Sequence, residues 1–385
     1  MLPSGCPLKM GSVRLMLYER KGLARPQRTR FDVDWPWLGV GRGGDFGMTT
    51  LSCSRASRCV GAAGACVLWT LLTGLALGLP SGEPWQAPLG QEHPLVGRIW
   101  DVAAGELIDS AALVDRLRLG RFVLLGEKHD NPDHHRLQAW LLRALVAAGR
   151  RPAVGFEMFT VDDAPAIARQ LAEHPTDAVG LADAVNWQRS GWPAWAMYQP
   201  IAEASLEAKL PIIATNLASA TARALGKSGA AALDPAFAAR YHLDRPLSPE
   251  AQAAMAQEIR AAHCGYAVEA QVNAMLLVQR ARDAQMADNL AAAGQQDGAV
   301  LIAGAGHVRR DYGIPTYLAS STPEASVISL AFLEVSQDRL EPAAYVAWFG
   351  RPTFPFDYVW FTPRVDDDDP CVAFEEQLKK LQHGK

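Results

Sequence analysis

The sequence has few cysteines, and most of them lie near its start. Of six cysteines in 385 residues, four occur by residue 66, and Cys264 and Cys371 are the two that follow. An acylated lipoprotein needs a cysteine at the end of its apolar leader, and none lies between Cys66 and Cys264. Lipid anchoring is therefore unsupported. The sequence leaves open whether Cys264 and Cys371 pair in an oxidising compartment.

Positive charge is scarce outside the first 80 residues. Those residues carry ten Lys or Arg and four Asp or Glu, which leaves 27 basic and 37 acidic residues in the remaining 305. A basic patch or stripe is the electrostatic footprint of a nucleic-acid-binding protein. The acidic body therefore argues against nucleic acid as a partner.

Two catalytic signatures are absent from the sequence. No Gly-x-Ser-x-Gly elbow occurs, which disfavours serine-hydrolase chemistry. Gly304 and Gly306 are not followed by Lys-Ser or Lys-Thr, so this glycine pair is weak support for a phosphate loop.

An uncharged stretch at residues 60–79 follows two arginines and precedes a Pro-Ser-Gly turn. This layout predicts a signal peptide or an N-terminal anchor over residues 48–82, with Met48 as its natural start. We expect residues 1–47 to be a spurious or disordered extension that results from a misassigned upstream start codon. The sequence thus predicts an exported protein, periplasmic or membrane-associated, with this segment as the route to the membrane.

Beyond a Pro/Gly-rich linker at 80–97, short apolar segments alternate with helical ones. We predict strands at 121–126, 153–157, 211–215, 299–303, 326–334 and 357–362, and helices at 132–148, 248–262 and 266–292. This order predicts an α/β fold with a mainly parallel sheet flanked by helices. Helical stretches within 160–210 and 217–295 predict a helical cap subdomain. Residues 336–385 should hold a late strand and an acidic tail.

Two of the apolar runs end in the same pattern, Gly-x-x-His. The first copy runs from Gly126 to His129, and the second from Gly304 to His307. Strands without polar residues are typical of parallel sheets. Open α/β sheets bind ligands at the carboxyl ends of their strands. The repeat therefore predicts one site built from two distant segments.

Acidic residues accompany the two histidines, because Glu127 ends the first predicted strand and Glu157 the second. Histidine and carboxylate are common ligands of zinc and of non-haem iron. His129, His307 and Glu157 are thus candidate ligands of a divalent metal ion such as zinc. In a metal-dependent hydrolase, Glu127 or Glu157 would serve as general base.

Arg282 and Asp283 on the long helix are candidates for the same site. Arg282 would steady an oxyanion there, but an Arg-Asp pair is equally typical of a surface or fold-stabilising ion pair. In the first loop, Asp130 and Asp133 suit capping of the following helix as well as they suit a site.

Three tryptophans and one tyrosine lie within residues 186–198. Trp192 and Trp195 would suit a flat aromatic ligand, but such residues equally suit packing against a sheet. A phenolate can ligate haem iron, which makes Tyr198 a candidate ligand.

Several motifs together resemble the ChaN-type haem-binding uptake domain family, which is related to the Tiki proteins and the erythromycin esterases. The resemblance covers residues 95–335, and its motifs are Leu-Leu-Gly-Glu-Lys-His-Asp-Asn-Pro-Asp-His-His, Ser-Gly-Trp-Pro-Ala-Trp-Ala-Met-Tyr, His-Cys-Gly, Gln-Arg-Ala-Arg-Asp-Ala-Gln-Met-Ala and Gly-Ala-Gly-His-Val-Arg-Arg-Asp-Tyr-Gly-Ile-Pro. It implies an α/β domain that takes part in haem or iron acquisition, with haem as cofactor, a homodimer around paired haems, and Tyr198 or Tyr312 as iron ligand. The Tiki-like pattern implies the alternative, a peptidase or esterase-like metal-dependent hydrolase.

Overall fold

The structure is a computed structural model, and it describes residues 82–373. The predicted extension at 1–47 and, except for Gly82, the predicted signal or anchor at 48–82 lie outside the described residues. Within residues 82–373, no helix combines the length and the apolar character that crossing a membrane requires.

The described chain folds around one eight-stranded sheet, and the predicted α/β class is confirmed. Its strands are β1 (Ile99–Asp101), β2 (Glu106–Ile108), β3 (Phe122–Glu127), β4 (Ala153–Thr160), β5 (Ile212–Asn216), β6 (Ala299–Gly304), β7 (Val327–Glu334) and β8 (Tyr358–Thr362). Its helices are α1 (Ser110–Leu117), α2 (Pro132–Ala147), α3 (Ala164–Glu173), α4 (Ala178–Ala184), α5 (Trp195–Glu207), α6 (Ser219–Ser228), α7 (Pro235–Arg240), α8 (Pro249–Ala262), α9 (Glu269–Ala293), α10 (Ile314–Ser321) and α11 (Pro370–Ala373).

The strand order is β2-β1-β8-β7-β3-β6-β4-β5. All pairs from β8 to β5 are parallel, and the β1–β2 hairpin, which the sequence did not predict, adds two antiparallel strands beside β8. The two strands that carry Gly-x-x-His are direct neighbours, with Gly126 opposite Ala303 and Glu127 opposite Gly304. Their carboxyl ends therefore meet at one edge of the sheet.

Both faces of the sheet are covered, as the apolar strands require. Alternate residues of β3 point to opposite faces, so Val123 and Leu125 join a core with α2 and α5, whereas Phe122 and Leu124 join a core with α9 and α10. α2 begins at an Asn131 cap, whose side chain accepts a hydrogen bond from the backbone N–H of Asp133.

A helical cap extends beyond the carboxyl edge. α9 has 25 residues and is about 37 Å long, whereas a six-residue strand such as β6 spans about 20 Å. Since Asp283 of α9 contacts His307 at that edge, the first half of the helix projects past the sheet. There it packs on α8 around a separate small core that includes Met255, Leu276 and Tyr312. α5 packs on α2.

The predicted linker at 80–97 is wrong for the residues that the structure describes. Ala87 and Leu95 are buried, and the fully buried Asp133 carboxylate accepts hydrogen bonds from the backbone N–H groups of Gln86 and Ala87 at 2.9–3.1 Å. The segment is thereby fixed to the start of α2. Its Pro and Gly residues shape a packed strap instead of a flexible spacer.

A disulfide joins Cys264 to Cys371, 107 residues further along the chain. Cys264 lies in the turn between α8 and α9, and Cys371 lies in α11. The pairing that the sequence leaves undecided is therefore present, and it ties the tip of the helical cap to the segment after β8. The acidic run at 366–369 before Cys371 is exposed, as predicted.

Candidate functional site

Side chains from two strands, two helices and the loops after β3 and β6 meet at the carboxyl edge of the sheet. Three carboxylates, Glu127, Glu157 and Asp283, are at most 2% exposed there. Buried carboxylates require charged or hydrogen-bonding partners. Histidines supply those partners, and together they form what we call the edge cluster: Glu127, Glu157, Asp283, His129, His135 and His307.

Glu127, the last residue of β3, has three partners on one side of the edge cluster. The Tyr198 hydroxyl donates to its Oε1 at 2.9 Å, His129 Nδ1 lies 2.9 Å from the same oxygen, and His135 Nδ1 lies 3.2 Å from Oε2. Burial opposes ionisation of Glu127, but the charges of His135 and His129 hold its pKa well below the usual range. Glu127 is thus a fixed anion that orients two imidazoles.

Glu157 and Asp283 hold the second histidine between them. His307 Nε2 lies 3.1 Å from Glu157 Oε1, and its Nδ1 is hydrogen-bonded to Asp283 Oδ1. Although burial alone would lower it, these two carboxylates raise the pKa of His307 to about 10. Burial would raise the pKa of Glu157, but His307 and His129 lower it to about 2. Burial raises the pKa of Asp283 to about 6.

The two halves meet at Glu157. Its Oε2 accepts the Gly304 N–H at 2.8 Å and lies 3.9 Å from His129 Nε2. An alternating row of carboxylate and imidazole therefore crosses the sheet edge from Asp283 to Glu127. The single shared site that the two Gly-x-x-His copies predict is present in the structure.

The two motif glycines make this approach possible. A Cβ on Gly126 would overlap the Val308 methyl and would lie 3.0 Å from the Ala305 Cα, and a Cβ on Gly304 would lie 2.9 Å from His129 Nε2. Each copy therefore leaves the space that the other copy fills.

Glu157 does not end its strand, contrary to the sequence prediction. β4 continues to Thr160, and its register against β5 shifts between Phe156 and Thr160. Such a register shift changes the direction in which side chains point, and the hydrophobic pattern of the sequence does not predict it. It lies in the part of β4 that contains Glu157, whose carboxylate contacts His307.

Neither motif tyrosine is free to bind iron in this arrangement. Tyr198 is fully buried and its hydroxyl is donated to Glu127. Tyr312 is 2% exposed in the cap core and donates its hydroxyl to Glu258. Burial and the neighbouring carboxylate raise the pKa of both phenols. The phenols present therefore do not fit an iron-bound phenolate.

The accessible part of the edge cluster is His129, whose side chain is 34% exposed against 6% for His307. The Trp192 ring contacts the His129 ring edge-on, with 4.9 Å between centroids. Trp195 is buried and packs on Trp187. Of the two tryptophans proposed for ligand contact, Trp192 thus lies beside the exposed part of His129, and Trp195 lies in the core. We call the partly exposed surface formed by His129 and Trp192 the mouth.

Arg282 and Asp283 do not pair with each other by hydrogen bond or ion pair in the described chain. Asp283 is committed to His307. The Nε atom of Arg282 is buried and has no hydrogen-bond partner among residues 82–373. The positive charge of Arg282 lowers the pKa of Asp283, but this effect is small beside burial, which raises it.

The predicted metal site has no support in the structure. His129, His307 and Glu157 do come together, but within residues 82–373 no group of three or more His, Cys, Asp or Glu side chains is placed to hold a metal ion. Both Nδ1 atoms are bound to carboxylates, and Glu157 takes the Nε2 of His307. The residues behave as a set of ion pairs.

Three members of the surrounding network escaped the sequence prediction of the site. His135 bonds the His129 carbonyl at 2.9 Å through Nε2, and Gln279 Nε2 lies 3.0 Å from His307 Nε2. His134 supports the loop by accepting from the Lys128 N–H at 2.9 Å. Helical spacing could have indicated two of these residues. Gln279 lies one turn before Asp283, and His135 lies on the inward face of α2 with Gln138.

The fold is that of an α/β protein whose edge cluster lies at the carboxyl edge of a mainly parallel sheet, the edge at which open α/β sheets bind ligands. A family model described as haem-binding uptake, Tiki superfamily, ChaN, matches residues 113–318, more than half of the chain. The chain therefore belongs to this family, as its motifs predict. No curated protein matches the sequence significantly.

Two solved structures are similar to this chain. The ChaN protein of Campylobacter jejuni, described with cofacial haem binding, shares 19% identity at a TM-score of 0.51, over 68% of this chain and 95% of its own. That likeness shows the fold. The type III effector HopBA1 shares 12% identity at a TM-score of 0.37, over 66% and 92% of the two chains, and it adds nothing to the assignment.

Proposed function

We propose that this chain is an exported haem-binding protein that takes part in haem or iron acquisition. The observation that carries the proposal is membership of the haem-binding uptake family over residues 113–318. Haem is flat and largely apolar and carries two carboxylates, so its site needs an aromatic surface and a cation. Trp192 at the mouth supplies the first.

His129 and Trp192 would contact the bound haem at this mouth. Glu127 fixes the His129 ring through Nδ1, so the imidazole is held ready in one orientation. When bound, haem would supply the iron that the protein carries. The two motif tyrosines stay bound to Glu127 and Glu258 in this proposal.

Two features support export, and a third supports dimer formation. The Cys264–Cys371 disulfide is of a kind that persists in oxidising compartments, and residues 60–79 have the composition of a signal or anchor. The Campylobacter jejuni relative binds haem cofacially. We therefore propose a periplasmic or membrane-associated homodimer in which two haems face each other.

Titration of the purified full-length protein with hemin tests the proposal. We expect a shifted Soret band that saturates, and sedimentation of a dimer only when hemin is present. Tyr198→Phe and Tyr312→Phe should retain the spectrum, because neither hydroxyl is free. A wild-type protein that leaves the hemin spectrum unchanged would contradict haem binding.

A further inference from the structure

Arg282, at the carboxyl edge of the sheet, is a cation without an anionic partner among the described residues. No carboxylate lies within 4 Å of its guanidinium among residues 82–373, and its buried Nε makes no hydrogen bond there. The carboxylate next to it in sequence, Asp283, is hydrogen-bonded to His307 through Oδ1, and its Oδ2 also has no hydrogen-bond partner in the described part of the chain.

The position of Arg282 on α9 places it over the carboxyl ends of the strands. Gln279, three residues earlier, contacts His307 of the β6 loop, and Asn289, seven residues later, donates to the Thr215 carbonyl of β5 at 2.9 Å. Residues three, four and seven apart share a helix face. Arg282 therefore lies on the face of α9 that covers the carboxyl ends of β5 and β6, at the same edge of the sheet as His129.

Two other arginines near the cap show what structural use of the same side chain looks like. Arg280 is 8% exposed and donates to the carbonyls of Arg245 and His242 at 2.8 Å. Arg309 is 3% exposed and makes two hydrogen bonds to Asp311 at 2.9–3.0 Å. The buried Nε of Arg280 is also without a hydrogen-bond partner, but Arg282 makes no hydrogen bond through any of its nitrogens within residues 82–373. Partly burying an unpaired guanidinium is unfavourable, and an incoming anion removes that cost.

We propose that Arg282 binds a carboxylate of the ligand at this mouth. Guanidinium matches a planar carboxylate through two parallel hydrogen bonds. The inference rests on the proposed haem function, and in that case the group bound is one haem propionate. It assigns the acidic edge of the porphyrin to the α9 side of the mouth and the apolar ring to the side of Trp192.

The test compares two porphyrin ligands and three full-length proteins. Hemin and hemin dimethyl ester, in which both propionates are esterified, are titrated by Soret absorbance into wild type, Arg282→Gln and Arg118→Gln. Arg118 is a matched control, because it loses the same charge at the exposed end of α1. We expect Arg282→Gln to weaken hemin binding about tenfold to a hundredfold and to leave ester binding unchanged. Arg118→Gln should match wild type with both ligands.

Each outcome separates the two proposals. If wild type fails to bind hemin, the haem function itself is wrong. If wild type binds hemin and Arg282→Gln binds it equally well, or loses hemin and ester by the same factor, the carboxylate role is wrong. Equal affinity of wild type for hemin and its ester would also overturn it. If circular dichroism shows that Arg282→Gln does not fold, Arg282→Lys takes its place. Lysine keeps the positive charge but cannot form the two parallel hydrogen bonds of a guanidinium. We therefore expect a smaller loss of affinity, and for hemin alone.

Discussion

The two Gly-x-x-His copies have the same sequence form but different surroundings. In the β3 copy, His129 is one-third exposed and is held through Nδ1 by Glu127. In the β6 copy, His307 is buried between Asp283 and Glu157. One imidazole is partly exposed to solvent, and the other is locked between two carboxylates.

The difference comes from the segment that packs on each loop. α9 passes over the β6 loop and supplies Asp283 and Gln279 to His307. Over the β3 loop, the ring of Trp192 touches His129 edge-on and leaves part of it open. A repeated motif therefore predicts where two residues lie, and the flanking element decides what each can do.

The largest expected effect follows from removing the locked histidine itself. His307→Gln should lower the free energy of unfolding by about 3–5 kcal/mol, because it leaves the buried carboxylates of Glu157 and Asp283 without the cation that they share. His129→Gln, at the open copy, should cost about 1 kcal/mol, the value of one hydrogen bond. Urea unfolding at pH 7 measures both. Equal losses for the two variants would show that the copies are energetically alike.

The pH dependence of stability should separate the copies next. The folded-state pKa of His307 is about 10 against an ordinary 6.5, so its stabilisation is full below pH 6.5 and is lost as pH rises to 10. The pKa of Glu157 is about 2 against 4.5, so its contribution is lost as pH falls from 4.5 to 2. The pKa of Asp283 is raised to about 6, so its protonation as pH falls below 6 favours the folded state. This gain partly offsets the loss of stability from Glu157 at acid pH.

Urea midpoints from pH 3 to pH 10 check this prediction. The fall above pH 6.5 should be clearly smaller in His307→Gln than in wild type, since that variant has no imidazole to lose its proton at this position. His129→Gln should keep most of the fall. A His307→Gln profile that coincides with wild type above pH 6.5 would contradict the assignment.

The smallest effects concern the two glycines. Gly126→Ala should destabilise by about 1–3 kcal/mol, because its Cβ meets the Val308 side chain and the Ala305 backbone in a packed interior. Gly304→Ala should cost less, because its Cβ meets the ring of the partly open His129. Gly226→Ala, a helical position with nothing within 4 Å, is the control and should stabilise slightly. An equal cost at Gly126 and Gly304 would mean that both copies are equally rigid.

Much of the fold could be predicted from the sequence, because buried parallel strands are continuous apolar runs. All six predicted strands are present, and β3 ends at Glu127. The β1–β2 hairpin was missed because its three-residue strands are too short to show a period. The strap at 82–97 was misread because it is fixed by the Asp133 carboxylate, 46–47 residues further along the chain, and no local pattern shows that contact.

The site could be predicted as a location but not as a set of partners. Strand-end charges located Glu127, His129 and His307, since such residues rarely end a buried strand without a use. Which carboxylate holds which imidazole depends on how α9 crosses the sheet, and spacing along the helix does not show this. The burial of Tyr198 and Tyr312 could not be predicted either, because the residue type alone does not show whether a tyrosine lies in a core or at a ligand-binding surface.

The contact between the strap and Asp133 limits how much of the N-terminal segment the fold can lose. A chain that starts after Ala87 would lose both backbone donors to this carboxylate, leaving Arg136 as its partner at 2.8 Å beside the Asn131 cap of α2. The same helix carries His135 into the edge cluster. The strap and the arrangement of the edge cluster are therefore linked through a single buried carboxylate, and any removal of the residues before the strap must leave Gln86 in place.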